Sequence, residues 1–394
     1  MPARRRIGAA LAAIALALCV AGQASAAGPK LNARSWALID ARSGEVLASH
    51  AASRRLPIAS ATKLMTAYVA LQTLPLEKTV PASPYEALYG ESLLELRPGE
   101  LVSVRDLLYG LILRSGNDAA HDLALAAAGS EGRFVRMMNR RAAALGLSDT
   151  HYANSIGLDE PGNYSSAYDL AALGRRLLAI RAFARIAAAR AAKLRSLRPP
   201  KRIKTLNDLL LRAPWATGIK TGHTFDAGYV LVGSGSRKGV RLIAAVLGTP
   251  TETDRDLETL RLLEHGFSLF RKRRPVGPGE ALAAPAIRFT GGELPLRAAR
   301  AVTVGLRRGQ RIRVSVRAPQ EVEGPIRRGA ALGRAVVSVE GLRVASVPLR
   351  AGRAVPEASA LDRARTFIDE NLLWLGLALS GILVGAVLMR RLIR

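Results

Sequence analysis

Residues 58–66 read Ile-Ala-Ser-Ala-Thr-Lys-Leu-Met-Thr and place Ser60 and Lys63 three positions apart, where a loop meets a helix predicted over Ala61–Leu71. On a helical turn this spacing puts both side chains on one face, so the amine can reach the hydroxyl. A hydroxyl is a weak nucleophile until an adjacent base activates it, and a desolvated lysine can supply that base. The helix start also offers backbone N–H groups to a developing oxyanion. Taken alone, the segment is better explained as an ordinary capped helix start with an exposed lysine.

A second polar segment, Ser115-Gly116-Asn117, lies between two predicted helical segments. These three residue types are common in turns, and a turn is the simpler interpretation of the segment by itself. The functional interpretation is that the Ser115 hydroxyl relays protons near Ser60 and Lys63, while Asn117 hydrogen-bonds a substrate amide. The sequence at this point leaves both interpretations open.

A third segment, Lys220-Thr221-Gly222-His223-Thr224, is predicted to begin a strand. Gly222 would let a substrate backbone lie flat against that strand, where a side chain would block it. Lys220 and Thr221 can meet a substrate carboxylate, and the backbone N–H of His223 can complete an oxyanion hole. A basic edge strand is an equally common explanation of the same residues.

The three segments together are specific. In this order, S-x-x-K, S-x-N and K-T-G form the signature of penicillin-recognising serine enzymes. The flanking residues resemble the low-molecular-mass D-alanyl-D-alanine carboxypeptidases of peptidase family S11. The resemblance runs from about Ser35 to Phe270 and continues more loosely beyond it; the segments that carry it are 58–66, 115–119, 157–162 and 220–224, the last leading into 227–229.

The resemblance implies an α+β fold of the penicillin-binding/β-lactamase-like serine transpeptidase type, and a carboxypeptidase that removes the terminal D-alanine from peptidoglycan stem pentapeptides. β-Lactam antibiotics would acylate the same serine. Neither a metal nor a cofactor is expected. Carried over by motif, the catalytic residues are Ser60 as nucleophile, Lys63 as general base and Ser115 in proton transfer; the substrate-binding residues are Asn117 on the peptide, and Lys220 with Thr221 on the terminal carboxylate. A catalytic role for the His223 side chain is the less favoured alternative to its backbone role.

The pattern along the chain supports an α+β core. Strands are predicted at both ends of this region and Ala/Leu-rich helices in its middle, which indicates a sheet covered by helices. We place the carboxypeptidase domain at residues 32–271. From 276 to 356 apolar and polar residues alternate at period two, with Gly-rich turns, and this predicts a small all-β domain.

The N-terminus predicts export. Residues 1–26 contain three arginines, a short apolar run and a small-residue cleavage site, the pattern of a secretory signal peptide. Cys19, the chain's one cysteine, lies inside that segment, so the mature chain would have no thiol and no disulfide. The five histidines never occur three to five residues apart, which leaves a zinc site on one helix unsupported.

The C-terminus predicts an anchor. Residues 357–371 would form a stalk, 372–389 an apolar transmembrane helix and 390–394 a basic cytoplasmic tail, with the catalytic domain on the outer face of the bacterial cytoplasmic membrane. The 58 Lys+Arg against 31 Asp+Glu give a formal charge of +27. Nucleic acid would fit that charge, but an exported protein does not meet it, so no nucleic-acid partner is expected.

Two alternatives use the same motifs. In a class A-like β-lactamase, Glu160 within 160–163 would activate the deacylating water, although its spacing to Asn163 is one residue short of that family's loop. A β-lactamase also needs neither a β domain nor a membrane span. A catalytically silent, wall-binding scaffold is the weaker alternative, because every motif residue is intact.

Overall fold

Apolar strands at the two ends of the first unit meet in one antiparallel sheet. This computed structural model describes residues 28–392, and the chain divides after Leu269 into two compact units. In chain order, the strands of the first unit are β1 (Ser35–Asp40), β2 (Val46–His50), β3 (Thr79–Pro81), β4 (Leu101–Ser103), β5 (Ala191–Leu194), β6 (Lys201–Lys204), β7 (Ala216–Thr224), β8 (Gly228–Arg237) and β9 (Val240–Thr249). The main sheet has the order β2-β1-β9-β8-β7, while β3–β4 and β5–β6 form separate pairs. Strand β1 therefore pairs with β9, far away in sequence.

The turn between β8 and β9 has two central residues, Lys238 and Gly239, both at positive φ (50° and 80°). Two positive φ values match the type I′ geometry that suits the twist of a hairpin. The turn is short because β8 continues to Arg237 and β9 begins at Val240.

The helices of the first unit are α1 (Lys63–Thr73), α2 (Val104–Tyr109), α3 (Asn117–Ala128), α4 (Glu131–Ala144), α5 (Ala167–Leu178), α6 (Arg181–Ala187), α7 (Leu209–Arg212) and α8 (Glu252–Ser268). A 3₁₀ turn at Ala59–Thr62 precedes α1, and a π-helical turn at Gly110–Arg114 follows α2. Helix α1 is buried over most of its length, with Leu64, Met65 and Val69 fully inaccessible. The segment that contains Lys63 is thus anchored in the core.

Helices cover the main sheet on both faces. Gly266 of α8 lies against Leu242, whereas Gly174 of α5 lies against Ile243. Because neighbouring residues of a strand point to opposite faces, the two helices pack on opposite sides of β9. This arrangement confirms the α+β interpretation.

The second unit consists mainly of strands: β10 (Arg271–Val276), β11 (Ala281–Ala283), β12 (Ala286–Ile287), β13 (Leu296–Ala298), β14 (Val302–Leu306), β15 (Ile312–Arg317), β16 (Glu321–Val322), β17 (Ala331–Val339) and β18 (Leu342–Ala351). Its larger sheet has the order β11-β13-β18-β17-β15, and β10–β14 and β12–β16 form two further pairs. Leu294, Val337, Val347 and Leu349 are buried at its core.

Helix α9 (Ala360–Leu392) ends the described chain. Within residues 28–392 no single straight helix is both long and apolar enough to cross a bilayer. Two parts of α9, Ala360–Trp374 and Gly376–Leu383, meet that length and composition together, with a 55° bend between them. The predicted signal peptide, 1–26, and residues 393–394 of the predicted tail lie outside the described residues.

One boundary prediction was wrong. Strand β7 begins at Ala216, so Lys220 lies in the middle of the strand rather than at its start. The preceding residues Thr217 and Gly218 gave no clear strand pattern, and Gly218 adopts φ +113° where the pairing with β8 is irregular. Lys220 is consequently paired with Val232 inside the β7–β8 ladder, and its side chain is buried.

The contact of α8 with the sheet gives a stability prediction. An added Cβ at Gly266 would lie 2.6 Å from Leu242 Cδ1 and 2.8 Å from Leu38 Cδ2, so Gly266→Ala should destabilise the protein by about 1–3 kcal/mol through overpacking. Gly132, exposed in α4, has only an arginine tip at 3.7 Å, and Gly132→Ala should stabilise by about 0.5–1 kcal/mol. Urea unfolding of both variants checks the pair. A Gly266 variant as stable as the Gly132 variant would contradict this packing.

Candidate active site

Ser60 lies on the 3₁₀ turn that leads into α1. The residue before it, Ala59, has φ +47°, a left-handed conformation that is unfavourable for a residue with a Cβ. Gly157 lies against this turn so closely that an added Cβ would collide with the Ala59 carbonyl. The strained turn is therefore enclosed by a neighbouring loop, which fixes the direction of the Ser60 side chain.

Lys63 is fully buried at the first position of α1. Its Nζ donates to Ser60 Oγ at 3.0 Å and also to the carbonyl of Ile156. Burial lowers the pKa of Lys63 to about 7, while the negative charges of Glu91 and Asp118 act in the opposite direction. A large fraction of Lys63 is thus neutral near pH 7, and a neutral amine can accept the proton of the serine it touches.

The K-T-G segment runs alongside the Ser60 turn. An added Cβ at Gly222 would lie 2.9 Å from the backbone nitrogen of Ser60 and 3.2 Å from that of Ala61. Glycine is needed here because strand β7 and the serine turn approach each other too closely for a side chain. This is a different reason from the predicted one, which concerned only the room for substrate.

Lys220 is a second buried amine in the same region. Its Nζ donates to the carbonyl of Thr221 at 2.7 Å. Burial, together with the positive charges of Lys63 and Arg255, lowers the pKa of Lys220 well below its usual value. The structure therefore brings Ser60, Lys63 and Lys220 into one electrostatic environment.

Arg255 is a buried cation that the sequence analysis did not select. It lies in the first turn of α8, with ion pairs of 2.9 Å to Asp256 and 3.1 Å to Glu252. A single arginine near a helix start carries no sequence signal, since only the fold places its charge near Lys220.

The S-x-N segment occupies an unusual backbone turn. Ser115 ends the π-helical turn in a left-handed conformation (φ 61°, ψ 27°), and Asn117 begins α3. The side-chain nitrogen of Asn117, Nδ2, donates to Glu91 Oε2 at 2.6 Å. Among the described residues, the Ser115 hydroxyl makes no hydrogen bond to Ser60 or Lys63.

Glu91 is another residue that sequence reasoning missed. It belongs to a loop between β3 and β4, and a lone acidic residue in a loop has no distinguishing pattern. The loop is joined to α3 because the carboxylate of Asp118 accepts from the backbone nitrogens of Leu94 and Leu96, at 2.8 and 3.1 Å. These bonds hold the loop so that Glu91 contacts Asn117, although the two residues are 26 positions apart in the sequence.

Two other residues singled out from the sequence, His223 and Glu160, make separate contacts. The exposed His223 ring stacks on Tyr229 with centroids 4.0 Å apart. Glu160 accepts from Asn154 at 2.9 Å within its own loop, and no hydrogen bond in the described structure links it to Ser60 or Lys63. Residues 28–392 contain no group of three or more His, Cys, Asp or Glu side chains placed to hold a metal ion.

Comparison with known proteins indicates a single family. Residues 12–251 match the family model described as D-alanyl-D-alanine carboxypeptidase. The chain is 35% identical over 357 residues to D-alanyl-D-alanine carboxypeptidase DacC of Escherichia coli K12, covering 86% of this chain and 88% of that protein. DacF of Bacillus subtilis is 30% identical over 337 residues, with 83% and 87% covered.

Solved structures give the same result. Penicillin-binding protein 6B from Escherichia coli superposes with a TM-score of 0.60 and 29% identity over 83% of this chain and 98% of that one. Penicillin-binding protein 5 from Haemophilus influenzae gives 0.58 and 28% over 84% and 99%. The fold is thus that of the penicillin-binding proteins. The chain belongs to the peptidase S11 family and is a D-alanyl-D-alanine carboxypeptidase, a hydrolase that acts on the cell wall.

Proposed function

We propose that Ser60 is the nucleophile and Lys63 the general base of this carboxypeptidase. The observation that carries the assignment is the 3.0 Å hydrogen bond between Lys63 Nζ and Ser60 Oγ, made by an amine whose pKa burial lowers to about 7. Lys63 takes the hydroxyl proton as Ser60 Oγ attacks the carbonyl carbon of the penultimate D-alanine. The backbone N–H groups of Ser60 and His223 stabilise the resulting oxyanion.

The second half of the cycle releases both products. The C–N bond breaks, the departing amine takes a proton relayed from Lys63 through Ser115, and D-alanine leaves. Water then attacks the Ser60 ester and regenerates the hydroxyl with release of the shortened peptide. Asn117 orients the peptide amide, and Lys220 with Thr221 binds the terminal carboxylate. The proximity of Gly222 to Ser60 supports this, since it places the carboxylate-binding residues beside the nucleophile.

The proposed site residues define a class of substrates and do not single out one peptide. Peptidoglycan stem peptides ending in D-Ala-D-Ala are the substrates, and β-lactams acylate Ser60 as structural mimics of that end. Glu160 is bonded inside its own loop, which favours the carboxypeptidase over the β-lactamase alternative.

We also propose where the enzyme works. Residues 1–26 direct export, 357–371 form a stalk, and 372–389 of α9 cross the cytoplasmic membrane with the catalytic unit on its outer face. Two observations support this proposal. Helix α9 has exposed apolar side chains at Leu372, Leu373, Trp374 and Leu377. Its two parts together meet the length and hydropathy of a membrane span.

Removal of the nucleophile tests the site first. Ser60→Ala should abolish both D-alanine release and covalent penicillin labelling, because the acyl-enzyme can then no longer form. Intact-protein mass spectrometry after a penicillin pulse gives the readout, and circular dichroism shows whether the fold is kept. A penicillin adduct on the folded variant would refute the assignment of Ser60.

The pH dependence tests Lys63. The base must be neutral, so the acylation rate should rise as pH increases through about 7 and level off above it. Stopped-flow measurement with a chromogenic β-lactam gives the profile. Lys63→Ala should lower the rate by about 10²–10⁴-fold. A wild-type rate that does not change across this range, or an unimpaired variant, would point to another base.

A truncated chain tests the anchor. A protein that ends at Asn371 should be exported, soluble and fully active, because the proposed site lies before Leu269 and the proposed span after Asn371. Cell fractionation and D-alanine release are the measurements. Continued sedimentation of the truncated protein with membranes at high salt, which screens electrostatic adsorption, would show that the anchor lies elsewhere.

A further inference from the structure

The larger sheet of the second unit has an unusual distribution of charge. Its five strands contain six arginines and no lysine, aspartate or glutamate, and all six side chains are exposed: Arg297, Arg313, Arg317, Arg334, Arg343 and Arg350. Between 270 and 356 as a whole, 18 Lys+Arg face five Asp+Glu, a net charge of +13 out of +27 for the chain. A large part of the basic excess thus belongs to this small unit.

Strand register places the six arginines on one face, which we call the arginine face. Arg317 is paired directly with Arg334, and Arg297 with Arg350. Arg313 and Arg343 are both partners of Ser338. Directly paired residues project to the same side of a sheet. The opposite side carries the buried core residues Ala335, Val337, Val347 and Leu349.

This arrangement is unfavourable for the isolated protein. Like charges directly opposite each other on neighbouring strands are destabilising. No ion pair among the described residues joins any of the six to an acidic side chain. Arg297 and Arg350 donate instead to the carbonyls of Gly279 and Gly329, at 2.9 and 2.8 Å, which leaves their positive charge uncompensated. A surface of negative charges would relieve the repulsion.

We propose that the arginine face docks on the anionic phospholipid headgroups of the membrane. The inference rests on the proposed anchor, because the proposed span begins at Leu372, only 21 residues after β18 ends at Ala351. A bilayer that receives α9 lies within reach of the sheet. One apolar segment combined with a basic surface provides the two signals that stable membrane association uses. Headgroup attraction acts within about one Debye length, so close docking is required.

Vesicle binding by the purified full-length protein tests the proposal. The vesicles contain phosphatidylcholine alone or with a third of phosphatidylglycerol. The wild type should prefer the anionic vesicles by about tenfold or more at low salt, and the preference should shrink as salt rises. The triple variants Arg313→Gln/Arg317→Gln/Arg334→Gln and Arg297→Gln/Arg343→Gln/Arg350→Gln should each lose most of that preference.

The matched control removes the same charge elsewhere. Arg136, Arg140 and Arg141 are exposed on α4, and their triple change to Gln should keep the anionic preference. D-Alanine release should be the same in all proteins and shows that they are folded. Equal preference in wild type and arginine-face variants, or equal loss in the control, would overturn the proposal.

Two further results would distinguish lipid from wall polymer as the partner, and the α9 anchor from the arginine face. Loss of binding to purified peptidoglycan in the arginine-face variants, with vesicle binding unchanged, would make a wall polymer the partner and refute the lipid proposal. A wild type that fails to associate with neutral vesicles would refute the α9 anchor, while an anionic preference in the same experiment would still uphold the arginine face.

A second inference comes from a different observation, the hydrogen bonds of Glu91. Its Oε2 accepts from Asn117 Nδ2 and from the Tyr85 hydroxyl, both at 2.6 Å, and its Oε1 accepts from the backbone nitrogen of Leu88 at 2.9 Å. An ionised carboxylate can only accept hydrogen bonds, so it selects the NH₂ group of Asn117. The carbonyl oxygen of that amide is then free to accept an N–H from the substrate.

We infer that Glu91 is a positioning residue that fixes the orientation of the Asn117 amide, an inference that rests on the proposed role of Asn117. Although burial acts to raise it, hydrogen bonds from Asn117, Tyr85 and the Leu88 backbone hold the pKa of Glu91 below its usual value, which keeps the carboxylate ionised. Its charge also acts on Lys63: Glu91 and Asp118 raise the pKa of Lys63, whereas Lys63 and Arg255 lower the pKa of Lys220.

Glu91→Gln tests this role. Glutamine can both donate and accept, so Asn117 is no longer held in one orientation, and kcat/KM for D-alanine release should fall by about tenfold or more. Loss of the negative charge lowers the pKa of Lys63, so the midpoint of the pH–acylation profile should move to lower pH. Tyr85→Phe is the matched control: it removes one hydrogen bond to Glu91 without changing the charge, so the midpoint should stay in place.

The outcomes are distinct from those for Ser60. An unchanged kcat/KM and pH midpoint in Glu91→Gln would refute the inference while leaving the nucleophile untouched. Normal acylation with selectively blocked hydrolysis of the acyl-enzyme would also overturn it, because that pattern belongs to a base that activates water.

Discussion

The catalytic unit depends on one amine that is buried and makes no ion pair within the described residues 28–392. Lys63 lies in the core at the start of α1, and its hydrogen bonds go to Ser60 and to the carbonyl of Ile156. Desolvation makes the charged form unfavourable there, and this would let Lys63 act near neutral pH as the base that we propose. The two carboxylates that oppose the effect, Glu91 and Asp118, set how far the pKa falls.

The backbone around Lys63 is shaped to bring three distant segments to it. Ala59 and Ser115 both adopt left-handed conformations, and Gly157 and Gly222 allow a loop and a strand to approach the serine turn. Such strain persists only where the surrounding structure enforces it. The main sheet and the buried α1 supply that support, so the rigidity of the fold is used to hold Ser60.

The sequence predicted the α+β core and the family because both are carried by local pattern: hairpin turns, helical periodicity and three short motifs. The functional roles of Ser60, Lys63, Ser115, Asn117, Lys220 and Thr221 stay predictions. Other features could not be read from the sequence. Glu91 and Arg255 reach the site only through tertiary contacts, and the part of Gly222 in strand packing depends on how closely β7 passes Ser60.

The proposed chemistry requires that burial lowers the pKa of Lys63 to about 7, so that about half of this amine is neutral at pH 7. Direct titration of its side-chain amine, by NMR of protein carrying isotope-labelled lysine with Lys63→Arg used to assign the signal, measures this without any substrate. We predict a midpoint of about 7. A midpoint near the ordinary lysine value of about 10.4 would contradict the account, because Lys63 would then be charged when the enzyme works.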